Sequence, residues 1–445
     1  MSVPESEAVE VSPPHSLVAS PIQRRRAFLS AFLGSTIEFY DFIIYATAAT
    51  LVFASVFFNG MPPSVGIIAS FGTLAVGYFA RPIGGILFGH WGDRFSRKNS
   101  LIATLLIMGF ATTLIGLLPT PAQVGVWAPV LLVVLRVVQG LAVGGEWAGS
   151  VLLSVESADP ERRGLFGTAT AMGTAAGFLL GTGAFALLSA ILSAEQLLSW
   201  GWRIPFLVSL VLLALGLWMR TKLEPSPAEK VAQAEGAVAI VPVAELFRSH
   251  WKRTLLAVGI LLGPYAIYSI FSTFAVTFAV TFAGVSRAAM LNILIVVSIV
   301  SLALYPLYGR LSDRFGRRRV YVPAVAVMLV TSFLLFPAIQ TGNVWLIGAY
   351  YVLQGSVLSA AIFGTVGPIF AELFPTNVRF TGAAVAYQGA ALIGGALGPL
   401  SAAVIGADGQ GVFGMGLMMA AGVVLSLVCL IFLRETRDAD LLATA

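Results

Sequence analysis

Five ionisable side chains sit inside apolar stretches of this chain. Glu38 and Asp41 lie within "GSTIEFYDFIIYATAATLVF" (34–53), Arg81 stands before Pro82 in the next apolar run, and Arg136 and Glu146 share the fourth. Glu38 and Asp41 are three residues apart, so a helix projects both from one face. A charge at the centre of a bilayer costs roughly 2.5–3.5 kcal/mol on insertion scales. Burial and mutual repulsion both favour the protonated acid. A carboxyl that is protonated from one side of a membrane and deprotonated from the other is what proton coupling requires. The competing reading is a neutralised pair, fixed by cationic neighbours and purely architectural. Arg136 carries a guanidinium that cannot be neutralised by giving up its proton. It needs an anion: a helix 1 carboxylate, a substrate, or each in turn, the alternative being a static bridge. Arg81 suits an anionic substrate or a pairing with Glu146, for which a structural role is expected.

The elements that hold these groups follow from composition. The chain has 445 residues, 58% hydrophobic and 11% charged, with a mean hydropathy of +0.91. A soluble chain would have roughly a quarter of its residues charged, so lipid is the expected solvent. Apolar runs of roughly 18–25 residues recur twelve times. They lie near 30–53, 67–89, 100–118, 127–150, 165–190, 204–220, 254–276, 288–308, 320–339, 344–368, 382–404 and 412–433. The expected fold is an all-α membrane protein with twelve transmembrane helices. Residues 1–26 read as a disordered tail, 27–220 as one six-helix bundle, 221–253 as a linker, 254–433 as a second bundle and 434–445 as a short tail. Cys429 is the only cysteine, and His15, His90 and His250 fall outside the runs, so no disulfide framework, metal or other cofactor is expected. The first run follows Arg24–Arg26 without a small-residue cleavage site, which argues against a removable signal.

Charge sets the expected orientation. Of the 26 basic residues, Arg81 and Arg136 fall within runs, Arg203 and Arg287 lie on one side, and all the others lie in the N-terminal tail and every second loop after it. The positive-inside rule then places both termini and the linker in the cytoplasm, with the chain in the inner membrane. Topology accounts for the net charge of +5, and nucleic acid is not an expected partner.

The two halves echo each other. "GHWGDRFSRK" (89–98) returns as "GRLSDRFGRR" (309–318) and "LRVVQG" (135–140) as "LYVLQG" (350–355), which aligns Arg136 with Tyr351. Glu156 and Arg163 match Glu372 and Arg379. Two parallel six-helix pseudo-repeats around a central cavity are an alternating-access architecture. Asp93 and Asp313, in short basic loops, can accept hydrogen bonds from a neighbouring helix N-terminus and pair with arginine. They are expected to act as latches with Arg94, Arg97, Arg314 and Arg317, together with Glu156/Arg163 and Glu372/Arg379. Arg97, Lys98, Arg317 and Arg318 could equally do no more than set topology. The C-terminal half offers uncharged groups within its runs, among them Tyr265, Tyr268, Tyr305, Gln354, Tyr387 and Gln388. One half would handle charge and the other shape.

These residues resemble the major facilitator superfamily over the whole chain. The repeated loop looks like its G-x-x-x-D-R-x-G-R-R signature: Gly309, Asp313, Arg314, Gly316, Arg317 and Arg318 fit throughout, whereas Ser96 replaces a glycine in the first copy. "EFYDFIIY", "RPIGGILFGHWGDR", "QGLAVGGEWAGSVLLSVESA" and "WGWRIPF" are similar to the metabolite:proton symporter family, closest to shikimate-type and organic-acid permeases, with proline/betaine carriers as relatives. Arg136, Gln139 and Gly140 match the R-x-x-Q-G motif of proton-linked carriers, and the resemblance implies that Arg136 perturbs or releases a nearby proton. Helix 5 lacks the Gly-Pro element of drug antiporters, which favours symport. The expected function is proton-coupled import of a small polar metabolite, an organic acid, with a zwitterionic osmolyte as the alternative. Glu38, Asp41 and Arg136 are the expected coupling groups, with the proton as coupling ion. Arg136, Arg81, Gln139, Tyr268 and Gln388 are the expected substrate contacts. No nucleophile–base set, filter-like loop or Walker loop is present, so enzyme, channel and nucleotide-driven pump are not expected. A monomer suits two matched halves.

Overall fold

The computed structural model describes residues 19–59, 63–234, 241–405 and 411–442. The tail expected to be disordered falls, for residues 1–18, outside the described residues, as do 235–240 of the linker. Among the described residues all regular structure is helical. Helix 1 runs from Pro21 to Phe57 and helix 2 over Pro63–Arg94. Helix 3 covers Arg97–Leu117, helix 4 Trp127–Glu156, helix 5 Pro160–Ile191 and helix 6 Arg203–Thr221. After two short linker helices, Pro227–Ala234 and Pro242–Ser249, come helix 7 (Trp251–Phe282) and helix 8 (Arg287–Phe315). Helix 9 is split into Arg317–Thr331 and Leu335–Gln340; helices 10, 11 and 12 are Val344–Leu373, Arg379–Ile405 and Val412–Phe432. Nine of these, among the described residues, are long and apolar enough to cross a membrane. Helices 2, 9 and 11 complete the twelve that hydropathy marks.

Helix 1 starts earlier than expected. Pro21 takes the first helical position, where its missing N–H costs nothing, and the Ser20 hydroxyl accepts from the Gln23 N–H at 3.3 Å. Arg24–Arg26 therefore lie in the first turns of the helix rather than in the tail.

Close backbone approach sets where the charged helices lie. Gly173 and Gly177 on helix 5 face helix 1; a β-carbon on them would stand 2.3 Å from the Phe32 carbonyl and 2.5 Å from that of Thr36. Gly144 on helix 4 meets helix 2 in the same way, where a β-carbon would lie 2.1 Å from the Arg81 carbonyl. Small residues are what allow membrane helices to pack this tightly. Helix 1 is thus pressed on helix 5, and helix 2 on helix 4, with the ionisable groups between them.

The halves meet where helix 2 lies along helix 11, helix 5 along helix 8, and helix 4 along helices 10 and 11. At the end where the basic residues gather, two aspartates bind them together. Asp93 accepts from the backbone N–H of Phe380 (3.0 Å) and Thr381 (2.8 Å) and from the Thr381 hydroxyl (2.9 Å), at the start of helix 11. Asp313 accepts from the N–H of Gly164 (2.6 Å) and Leu165 (2.9 Å) in the first turns of helix 5. Each aspartate sits on one half and caps a helix of the other, where orphan N–H groups and the helix dipole favour a carboxylate.

The arginines behind them follow the same plan. Arg97 pairs with Glu156 and reaches Asp93 at 3.5 Å; Arg317 reaches Asp313 at 2.8 Å and Glu372 at 2.9 Å. Both arginines are buried, so they do more than set topology. The linker and the C-terminal segment close the two networks alike. Ser226 donates to Glu156 at 2.5 Å and Glu229 accepts from the Arg97 N–H at 3.2 Å. Thr436 donates to Glu372 at 2.7 Å and Glu435 accepts from the Arg317 N–H at 2.8 Å. The loop copies differ where the signature does. Gly316 adopts φ +102° before helix 9, whereas Ser96 is extended at φ −164° and caps helix 3 with its own hydroxyl.

Two expected pairings are not formed. Glu156 binds Arg379 of the other half (2.7 Å) rather than Arg163, and Arg163 donates to the Ala439 carbonyl (2.7 Å). Glu372 accordingly takes Arg317 instead of Arg379. The reason is that helices 5 and 11 begin against the opposite half, so their first basic residues face the partner's loop. Arg94 and Arg314 are exposed, lie over the rings of Phe95 and Phe315 (both 5.2 Å), and take no part in the latches.

Two outcomes test this packing. Gly144→Val forces helix 4 off helix 2, and overpacking of about 1–3 kcal/mol is expected as a lowered unfolding temperature of the purified protein. Asp313→Ala removes the two charge-assisted hydrogen bonds that cross to helix 5, of about 1.5–3 kcal/mol each, along with the contact to Arg317. In a Thr168→Cys, Cys429→Ser background, maleimide labelling is then expected to accelerate about tenfold or more.

Candidate functional site

The apolar sequence that makes helix 1 a membrane span also decides how its acids are met. Asp41 is 1% exposed and both its oxygens are bound: Thr112 of helix 3 donates to Oδ2 at 2.6 Å and Ser209 of helix 6 donates to Oδ1 at 2.7 Å. Glu38 is 5% exposed, and its Oε2 is buried without a hydrogen-bond partner among the described residues. Arg81 and Arg220 attract it, Glu146 and Asp41 repel it, and Asp41 acts most weakly of these. The two acids share one face of helix 1, but they do not form the tight repelling pair their spacing suggested. One is anchored; the other is not.

Arg136 makes no direct carboxylate contact. Its Nη1 donates to Gln139 Oε1 at 2.5 Å, Gln139 Nε2 donates to Thr112 Oγ1 at 2.7 Å, and Thr112 donates to Asp41. The guanidinium lies 4.2 Å over the Tyr45 ring, and its Nε is buried without a partner. Gly77 makes room for it, since a β-carbon there would stand 2.6 Å from that Nε. A cation held by an amide dipole and a π face is retained without being neutralised.

Arg81 and Glu146 do not pair. Glu146 binds Arg220 of helix 6 through both oxygens, Nη1 reaching Oε2 at 3.0 Å and Nη2 closing on Oε1. Thr104 (2.8 Å) and Ser150 (3.0 Å) also donate to it. Every lone pair direction is served, so this is the structural ion pair expected of Glu146, with a different partner. Arg220 stands at the end of the sixth run and reads as a loop charge, but the helix carries it inward, where it is 1% exposed.

Arg81 instead lies over Tyr78 (4.5 Å) and Phe42 (5.4 Å), half-buried, with no carboxylate within 4.0 Å among the described residues. Aromatic groups of the other half face it. Tyr265 packs edge-on against Tyr268 (6.3 Å), Phe363 (5.7 Å) and Tyr387 (5.4 Å), and Tyr387 stacks on Trp147 of helix 4 at 3.6 Å. Tyr268 feels both Tyr78 and Arg81, and Tyr387 feels Glu38. Gln388 donates to the Gly144 carbonyl at 3.2 Å, with its Oε1 buried and unpartnered. Arg81, Glu38, Tyr268 and Gln388 thus converge where the halves meet, whereas Gln139 is used up by Arg136 and Thr112. Thr112 and Ser209, the two donors to Asp41, are neighbours that sequence reasoning missed. The signal was faint: a hydroxyl in an apolar run most often bonds its own helix.

Residues 27–235 match the family described as Sugar (and other) transporter, and residues 284–444 the Major Facilitator Superfamily. The chain is 40% identical to the inner membrane metabolite transport protein YhjE of Escherichia coli over 96% of this chain and 98% of that protein. It is 37% identical to the shikimate transporter of the same organism over 93% and 95%. It is 33% identical to the glycine betaine/proline/ectoine/pipecolic acid transporter OusA of Dickeya dadantii over 94% and 84%. Among solved structures, the proton:xylose symporter XylE bound to 6-bromo-6-deoxy-D-glucose superposes with a TM-score of 0.76 at 18% identity, covering 95% of this chain and 98% of that one. Twelve helices in two echoing halves, latched by a repeated aspartate loop, carry a sequence related end to end to metabolite carriers: the chain belongs to the major facilitator superfamily, a multi-pass membrane transporter.

Proposed function

We propose that this transporter is a proton-coupled symporter that imports a small carboxylate-bearing metabolite by alternating access. Its latched end, with both termini and the linker, faces the cytoplasm. The observation that carries the reading is the uneven treatment of buried charge. Among the described residues, Glu146 is fully paired with Arg220, while Arg81 has no carboxylate within 4.0 Å and Glu38 no hydrogen bond. An unpaired guanidinium in a low-dielectric site is a standing attraction for a carboxylate. Unneutralised acids on helix 1 are groups whose protonation can follow the side of the membrane they face. The aromatic wall opposite supplies shape, and the 37% identity with a shikimate transporter agrees with a cyclic or short organic acid.

The second reading keeps the coupling and changes the cargo. Tyr265, Tyr268, Phe363 and Tyr387 could hold a quaternary ammonium group by cation–π contact. Glu38 would then face the positive end of a zwitterion and Arg81 its carboxylate, as suits a relative of OusA.

A ligand panel separates the two. Shikimate, 2-oxoglutarate and an aromatic acid are expected to raise the unfolding temperature of the purified protein, and betaine and proline to leave it unchanged. The reverse result establishes the osmolyte. In reconstituted vesicles, uptake of the stabilising ligand should rise with an inward proton gradient and collapse with a protonophore; indifference to the gradient removes the symport reading. Arg81→Gln should weaken apparent affinity for a carboxylate ligand about tenfold or more, the equivalent of one charged hydrogen bond.

A further inference from the structure

We propose that the Thr112 hydroxyl is a two-position switch that transmits the protonation of Asp41 to Arg136. The proposal rests on the proton-symport reading and adds a positioning residue to it. Thr112 has one hydrogen and two acceptors in reach: Asp41 Oδ2 at 2.6 Å and the Met108 carbonyl at 2.9 Å. Its oxygen meanwhile accepts from Gln139 Nε2 at 2.7 Å, and Gln139 Oε1 accepts from Arg136 at 2.5 Å. With Asp41 ionised, the chain runs in one sense. Arg136 donates to Gln139, Gln139 to Thr112, and Thr112 to the carboxylate, while Ser209 serves the other oxygen at 2.7 Å. Each bond polarises the next, so the negative charge is felt at the guanidinium although no ion pair joins them.

Protonation of Asp41 reverses one link. A proton delivered by hydronium, which leaves as water, bonds to Oδ2, and the new O–H donates to Thr112 Oγ1. The threonine hydrogen turns to the Met108 carbonyl, so no donor is lost and no atom is left over. The Thr112 oxygen then accepts from both Asp41 and Gln139, and the charge that polarised the chain is gone. Arg136 is held less firmly and becomes available to a carboxylate. Proton and substrate therefore bind with positive coupling, and by linkage each raises the affinity of the other equally.

The surroundings leave few other routes. Helix 4 brings Arg136 towards Asp41, helix 3 Thr112 and helix 6 Ser209; Tyr40 and Glu38 are the ionisable neighbours on its own helix. Helix 5 packs Gly177 and Gly181 against this part of helix 1 and has no ionisable residue between 164 and 191. The C-terminal half holds the same hydroxyl–amide pair without the charges: Thr331 donates to Gln354 at 2.7 Å, and Tyr351 takes the place of Arg136.

The test needs no substrate. In full-length purified protein, the carboxylic C=O band of Asp41 is titrated by infrared difference spectroscopy and assigned by its loss in Asp41→Asn. Thr112→Val keeps the shape and removes the hydroxyl; it should move the titration midpoint by about one pH unit. Thr112→Ser should restore it. Arg136→Gln should move the midpoint clearly in the parent protein and distinctly less in the Thr112→Val background. An equal effect of Arg136→Gln in both backgrounds overturns the switch, as does a Thr112→Ser protein that behaves like Thr112→Val, or an Asp41 band that never titrates. Each of these leaves the symport reading to be judged separately by the response of vesicle uptake to a proton gradient.

Discussion

A charge inside a low-dielectric bundle must be answered by the protein, because no solvent will answer it. The helices here answer their charges to different degrees. Glu146 receives two guanidinium bonds and two hydroxyls and is closed to any other partner. Asp41 receives two hydroxyls, enough to hold its position and too few to bar a proton. Arg136 receives an amide oxygen and a ring face, and Glu38 receives nothing direct among the described residues. This gradation separates scaffold from machinery. A fully served pair costs several kcal/mol to disturb and so fixes helix 4 against helix 6. Partly served groups can change state for far less.

The internal repeat shows which features the architecture needs twice and which the task needs once. Thr112–Gln139 and Thr331–Gln354 occupy matching places, and the Arg136 guanidinium over Tyr45 is matched by the Tyr351 ring over Phe271, each at 4.2 Å. The hydroxyl–amide pair is therefore common to both halves, and what sets the first apart is the charge at either end of it. Charge was added to, or kept in, only one. The latches are duplicated in full, down to the hydroxyl and carboxylate that the linker and the C-terminal segment contribute.

Hydropathy made the twelve spans legible, since lipid imposes a length and a composition that need no periodicity to recognise. The aspartate loops were legible because they occur twice. What stayed hidden was pairing. Arg220 and Glu146 are 74 residues apart, and nothing in either run says that helix 6 delivers its terminal arginine to helix 4. Glu156 and Arg163 read as partners through their matches in the second half, yet Glu156 takes Arg97 and Arg379 while Arg163 turns to the Ala439 carbonyl. Thr112 and Ser209 were invisible for a plainer reason: single hydroxyls in apolar runs carry no pattern, and only the crossing of helices 1, 3 and 6 turns them into ligands for a carboxylate.

The packing of helix 2 on helix 11 links the latch to Arg81 and Gln388. On helix 2, Arg81 and Asp93 are twelve residues apart, about 18 Å along a rigid rod. On helix 11, Thr381 and Gln388 are separated by two turns. These two helices lie against each other: β-carbons on Gly89 and Gly92 would stand 2.8 Å from Thr381 and 2.1 Å from Phe380 of helix 11. Glycine on helix 2 lets the Phe380 ring and the Thr381 backbone of helix 11 seat closely against it, and at this end the Asp93 bonds to helix 11 hold the pair in register. On the proposed substrate reading, release of those bonds lets the two rods pivot, and since Arg81 rides on one and Gln388 on the other, these two groups part as the latch opens; a substrate that bridges them opposes that parting.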